Sequence, residues 1–308
     1  MPQTLPNPPV QFGALRRIQA GRFDAPAPLA LWHLASLDAP TVAVTWSLAF
    51  AWAAQVRLPG WIPLLLALAC WAVYVADRLL DARAALRSGS VASLRERHCF
   101  QHRHRRLLAP LATVAAIAAC AIVVTLMPPA ARERNSVLAV AALAYFTRVH
   151  AQGTALGGAR LPRLFKKELQ VGFLFTAACA LPAFSRALTQ AHAALGPLAA
   201  VSLFFALLAW LNCHAIDRWE AREQEPSSFL IFPQARLLAQ AGLLLAVLLS
   251  YGQPRMAVLA AAGAVSALLL ALLDRQRSRL TPLALRATAD LVLLTPLALL
   301  VQVALLLQ

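Results

Sequence analysis

The chain has 308 residues, of which 60% are apolar and only 13% charged, with a mean hydropathy of +0.65. Ordinary soluble domains carry about 45–50% apolar and about 25% charged residues. A soluble enzyme, a disordered chain, a collagen and a disulfide scaffold are therefore excluded, and the class that remains is an all-α, polytopic membrane protein. The net charge of +15 would point to nucleic acid in a soluble protein. Here the basic residues fall between apolar runs, where the positive-inside rule expects them, so no nucleic-acid partner is expected.

Residues 1–36 contain Pro2, Pro6, Pro8, Pro9, Pro26 and Pro28 and no apolar signal-peptide core, and read as a mostly disordered cytoplasmic tail. A helix crosses the hydrocarbon layer in about 20 residues. Nine such runs follow, roughly at 40–57, 61–82, 107–127, 135–150, 167–185, 194–214, 234–251, 256–273 and 284–307. Pro59-Gly60 and Pro128-Pro129 break two of the gaps, and the fourth run is the shortest. Residues 37–308 thus read as one nine-helix transmembrane domain. With the N-terminus in the cytoplasm and the C-terminus outside, 23 of the 28 basic residues lie on the cytoplasmic side. The five external ones are Arg57, Arg132, Arg134, Arg186 and Arg255. The expected location is the inner (plasma) membrane, in contact with its lipids. Cys70, Cys99, Cys120, Cys179 and Cys213 are odd in number and irregularly spaced, which argues against a disulfide framework.

The acidic residues concentrate at two helix ends. Asp77 and Asp81 close the second run and, four apart, share a helical face. Paired carboxylates at a membrane edge repel each other and are costly to desolvate unless a divalent cation sits between them. Mg²⁺ takes one or two protein carboxylates and completes its shell with phosphate oxygens and water. A solvated helix end neutralised by Arg78 and Arg83 explains the same spacing. Asp217 and Glu220 close the sixth run, three apart, with Asn212 nearer the membrane. An extension laced with Arg218, Arg222, Glu223 and Glu225 is the competing explanation there. By the charge count both clusters face the cytoplasm, and together they would clamp metal ions around a diphosphate.

These features resemble the UbiA superfamily of intramembrane prenyltransferases. Asp77-Arg78-Leu79-Leu80-Asp81 resembles the first aspartate-rich motif of that family, at the end of the second of nine helices. Asp217-Arg218-Trp219-Glu220 stands where the second motif ends helix six. Leu37-Asp38-Ala39-Pro40 resembles the segment leading into the family's first helix, and Lys166-Lys167 with Gly172 the opening of its fifth. The resemblance covers residues from about 37 to 307. The chain departs from the pattern at Val73, where the family has Asn, and at Glu220, where it has Asp, so it looks like a divergent branch.

What the resemblance implies is a nine-helix bundle that moves a polyprenyl group from its diphosphate to a hydrophobic acceptor. Asp77, Asp81, Asp217 and Glu220 would be the catalytic and Mg²⁺-binding residues. Arg148, Lys166, Lys167, Asn212 and Tyr74 would contact substrate. Mg²⁺ and basic groups neutralise departing pyrophosphate, and aromatic faces such as those of Tyr74 and Trp219 stabilise an allylic cation. For Arg148 and Lys166 the positive-inside bias is an equal explanation.

His98-Cys99-x-x-His102-x-His104 has a metal-like spacing, but no second pair completes a zinc site and five neighbouring arginines repel a cation. A cap over the diphosphate or contact with anionic lipid suits this stretch better. Arg286 and Asp290, four apart, are expected to form a structural ion pair. A non-catalytic or transport protein on the same scaffold is the alternative. A CDP-alcohol phosphotransferase is excluded because no Asp-Gly occurs in the chain.

Overall fold

The computed structural model describes residues 24–87, 95–150, 167–221 and 231–306. Among these residues the structure is helical throughout, with no strand. In chain order the helices are α1 (Ala27–Leu34), α2 (Asp38–Ala53), α3 (Trp61–Arg87), α4 (Glu96–Arg103), α5 (Arg105–Thr125) and α6 (Pro129–His150). They continue as α7 (Lys167–Gln190), α8 (Leu195–Ala221), α9 (Ile231–Ser250), α10 (Pro254–Gln276), α11 (Pro282–Leu291) and α12 (Thr295–Leu306).

Seven helical segments among the described residues are long and apolar enough to cross a membrane, and an eighth if the bent α1–α2 pair is one span. This is compatible with a multi-pass membrane protein. It falls short of the nine spans expected from the sequence. Helix α6 occupies the fourth run, but its opening turns carry Arg132, Glu133, Arg134 and Asn135, and it is not among the seven. Among the described residues it packs mainly against α7.

The α1–α2 bend of 87° has a clear cause. Ser36 adopts a left-handed backbone, φ 61°, a conformation costly for a residue with a Cβ. Side chains from other elements bond the chain at this residue and just before it. Arg78 donates to the His33 carbonyl (2.7 Å), Gln101 to that of Leu34 (2.8 Å) and Trp71 to that of Ala35 (2.9 Å), while Gln101 also reaches the Ser36 hydroxyl (3.1 Å). The carbonyls that the end of a helix leaves unpaired are thus satisfied.

The ninth run is also broken, by a 3₁₀ turn at Val292–Leu294 between α11 and α12. Pro296 removes one backbone donor. Trp46 donates to the Leu293 carbonyl (2.8 Å), and Thr295 turns its hydroxyl to the Ala262 carbonyl (2.8 Å). The break is thus tied to α2 through the Leu293 carbonyl and to α10 through the Thr295 side chain.

The core lies among α2, α7, α8 and α10. Trp46 stacks on Phe205 with ring centroids 3.8 Å apart, and Phe50 meets Phe205 edge-on. Small residues bring helices close, as in membrane bundles generally. A Cβ on Gly172 of α7 would lie 2.8 Å from the Trp210 backbone nitrogen of α8. Outward faces of α5, α6 and α9 remain apolar, with Ile117, Val137 and Leu244 more than 60% exposed. A lipid environment would cover such faces.

Candidate functional site at the charged end of the bundle

Asp77 and Asp81 lie on the last turns of α3, half-buried, one helical turn apart on one face. Each makes polar or electrostatic interactions with its surroundings. Tyr145 of α6 lies within electrostatic range of the Asp77, Asp81 and Glu168 carboxyl groups and of the Cys213 thiol. Tyr74, one turn before Asp77, stands in the same relation to Asp38, Cys70, Cys213 and Asp290. The charged end of α3 therefore shares its surroundings with α6, α7, α8 and α11.

The second motif divides. Asp217 is exposed at the end of α8. Glu220 is held by three arginines from two other parts of the chain. Its Oε2 meets Arg95 Nε at 3.0 Å, and its Oε1 meets Arg97 at 3.0 Å and Arg286 at 2.6 Å. Arg95 and Arg97 come from the start of α4, and Arg286 from α11. Both oxygens of Glu220 are thus engaged by cations.

Asn212 is buried on α8 and donates to Asp290 Oδ1 at 3.2 Å. Its own side-chain oxygen has no partner among the described residues. The ion pair expected between Arg286 and Asp290 is replaced: Arg286 bonds Glu220, and Asp290 bonds Asn212 and approaches His33 Nδ1 at 3.5 Å. Position four apart on a helix allows such a pair, but here the hydrogen bonds of Arg286 and Asp290 go to α8, and Asp290 also approaches α1. Lys166 lies outside the described residues, as do the side chains of Arg148 and Lys167.

The His98–His104 stretch forms α4 and the turn after it. His98 Nδ1 accepts from the Arg95 backbone N–H at 3.4 Å and so helps to close the start of α4. Burial, together with Arg97, Arg286 and Arg78, pushes the His98 imidazole down to about 3, so it is neutral at ordinary pH. Burial and the neighbouring Arg286 also lower Arg97, to about 10, against the pull of Glu220. Both still leave Arg97 charged at neutral pH. Helix α4 is thereby fixed over the end of α8 by ion pairs.

One cluster escaped the sequence reading. His33 of α1, Asp38 of α2 and Asp290 of α11 bring potential ligand atoms within 4.8 Å of one another. His33 Nδ1 lies 2.6 Å from Asp38 Oδ2, and Arg78 lies 3.2 Å from the same oxygen. A histidine four residues before Leu37-Asp38 was the available signal, but nothing in one sequence ties it to Asp290, 252 positions after Asp38.

For Mg²⁺, the donor chemistry of Asp77 and Asp81 fits: two hard carboxylates on one helical face. Glu220 does not fit in this arrangement, since arginines occupy both its oxygens. Compared with known proteins, the chain matches no family model, no curated protein and no solved structure.

Proposed function

We propose that the protein is a divergent, UbiA-like intramembrane prenyltransferase with nine membrane passes, α6 supplying the fourth. The observation that carries this reading is the placement of Asp77 and Asp81. They stand half-buried at the charged end of an otherwise apolar bundle, within electrostatic range of Tyr145, with an arginine-rich helix at the end of α8. Asp77 and Asp81 hold Mg²⁺, which supplies charge neutralisation for a departing diphosphate. Asp217, exposed at the tip of α8, is the available member of the second motif. Arg95 and Arg97 add positive charge at Glu220, three residues further along. Tyr74 and Tyr145 offer aromatic faces to a developing carbocation, and the surrounding helices exclude water from it. The acceptor is a hydrophobic molecule that reaches the bundle from the membrane.

The arginine clamp on Glu220 favours a second reading, a non-catalytic protein on the same scaffold. Magnesium-dependent release of pyrophosphate from a prenyl diphosphate, across a panel of acceptors, separates the two. Asp77→Asn and Asp81→Asn are expected to lower turnover by about 10²–10³, the usual loss when electrostatic stabilisation of a developing charge is removed. Wild-type turnover in both variants, or no magnesium-dependent turnover in the parent, would favour the non-catalytic scaffold.

A further inference from the structure

At the charged end of the bundle, the tip of α8, the α10–α11 connection and the start of α11 enclose a half-open cleft of about 220 Å³. Arg95, Arg277, Arg286 and Ser278 line it together with Trp219 and Leu285. Binding pockets for whole small molecules run to about 300–1,000 Å³, so this cleft suits a headgroup rather than a cofactor.

Its charge is unbalanced. Arg95, Arg97 and Arg286 converge on Glu220, and Arg277 pairs with Asp274 at 2.8 Å. Counting Arg97 and Asp274, which do not line the cleft, four guanidinium groups meet two carboxylates, an excess of two positive charges. Neither carboxylate has capacity to spare. Glu220 uses both oxygens on arginines. Asp274, buried, accepts from Trp219 Nε1 at 2.8 Å and from the Phe232 backbone N–H at 3.0 Å as well as from Arg277. Asp274 therefore braces two cleft residues, Trp219 and Arg277, at once. Arg286 spends an N–H on Glu220, and its Nε is buried without an acceptor among the described residues. Guanidinium groups with unspent, rigidly held donors are suited to phosphate oxygens. Basic pockets between membrane helices typically take lipid headgroups, and Trp219 and Leu285 give this one an apolar wall.

We propose that this cleft binds a phosphate group, carried either by an anionic phospholipid or by a soluble phosphate ester. The proposal overlaps the prenyl-transfer reading at Trp219 and Glu220, which belong to the second acidic motif and line the cleft, whereas Arg277 and Ser278 belong to the α10–α11 connection, which carries neither motif. The test uses the delipidated full-length protein in detergent, titrated with phosphatidylglycerol or with phosphatidylcholine of the same acyl chains, and read by native mass spectrometry. Phosphatidylglycerol is expected to half-saturate at a concentration at least tenfold lower. Ser278→Glu places a negative charge on the rim without removing any ion pair, and should reduce that preference at least fivefold. Arg277→Gln should do the same, whereas Arg105→Gln, on α5, should not. Displacement of the lipid by millimolar pyrophosphate assigns the site to soluble phosphate esters, and resistance to it assigns the site to the lipid. Equal binding of the two lipids, or unchanged preference in a folded Ser278→Glu variant, overturns the proposal. Loss of pyrophosphate release with lipid preference intact would count against the enzyme reading alone.

Discussion

Replacing Glu220 by Asp sets the family resemblance against the structure. By resemblance the change restores the residue expected in the second motif, and it should be tolerated. The structure predicts destabilisation. Asp is one C–C bond shorter, about 1.5 Å, and Glu220 sits between Arg95, Arg97 and Arg286 with contacts of 2.6–3.0 Å. At an effective dielectric near 20, lengthening one such pair from about 3 to about 4.5 Å weakens it by about 2 kcal/mol. Three pairs would lose about 6 kcal/mol if nothing moved. The arginines can follow the carboxylate, and Arg95 is 34% exposed, so water screens part of its share. A net loss of about 1–3 kcal/mol remains. It should appear as a lower thermal midpoint in detergent and as faster proteolysis near α4, which this clamp helps to anchor. Arg97→Gln should mimic it, and combining the two should cost less than their sum, since they break the same contact. A Glu220→Asp protein with the parent's midpoint, or full additivity of the two changes, would refute the clamp as a stabilising element.

The pH response of α4 follows from His98. Its pKa is lowered in the folded state, so the unfolded segment binds more protons between pH 6.5 and about 3. Stability from this group is complete above pH 6.5 and falls away with acidification through that window. Hydrogen exchange over residues 96–103, corrected for intrinsic rates, should show that loss, and His98→Gln should flatten it; identical profiles would sink the assignment. Gly172→Ala should cost about 1–3 kcal/mol by forcing α7 from α8, whereas Gly60→Ala, with nothing within 4 Å of the added Cβ, should leave the midpoint nearly unchanged. Alkaline phosphatase fused after Gln308 should be active and after Ser88 inactive; the reverse would invert the expected orientation.

What the sequence could show was local. Apolar runs of membrane-spanning length mark most of the helices within a few residues, because lipid demands continuous apolar side chains whatever the tertiary contacts. The fourth run shows the limit of that signal: Pro129–His150 forms a helix, but charge in its first turns makes its membrane passage undecidable from composition alone. The same-face spacing of Asp77 and Asp81 was equally legible, being a property of one helix. Contacts that join distant segments were not. Glu220 reads as half of an acidic motif until Arg95, Arg97 and Arg286 are placed around it, and those lie 125, 123 and 66 positions away. Local charge patterning predicted an Arg286–Asp290 pair, yet each group found its hydrogen-bond partner on another helix. An ionisable side chain in an apolar bundle takes whichever counter-charge the packing supplies, since leaving it unpaired costs more than breaking an intrahelical pair. Ion-pair assignments made from helical spacing are therefore the weakest part of such a reading, and charged groups at the bundle end are where structure adds most. The excess positive charge around Glu220 is of that kind. It arises from arginines on α4 and α11 converging on the tip of α8, and only their convergence gives an anion there a reason to bind.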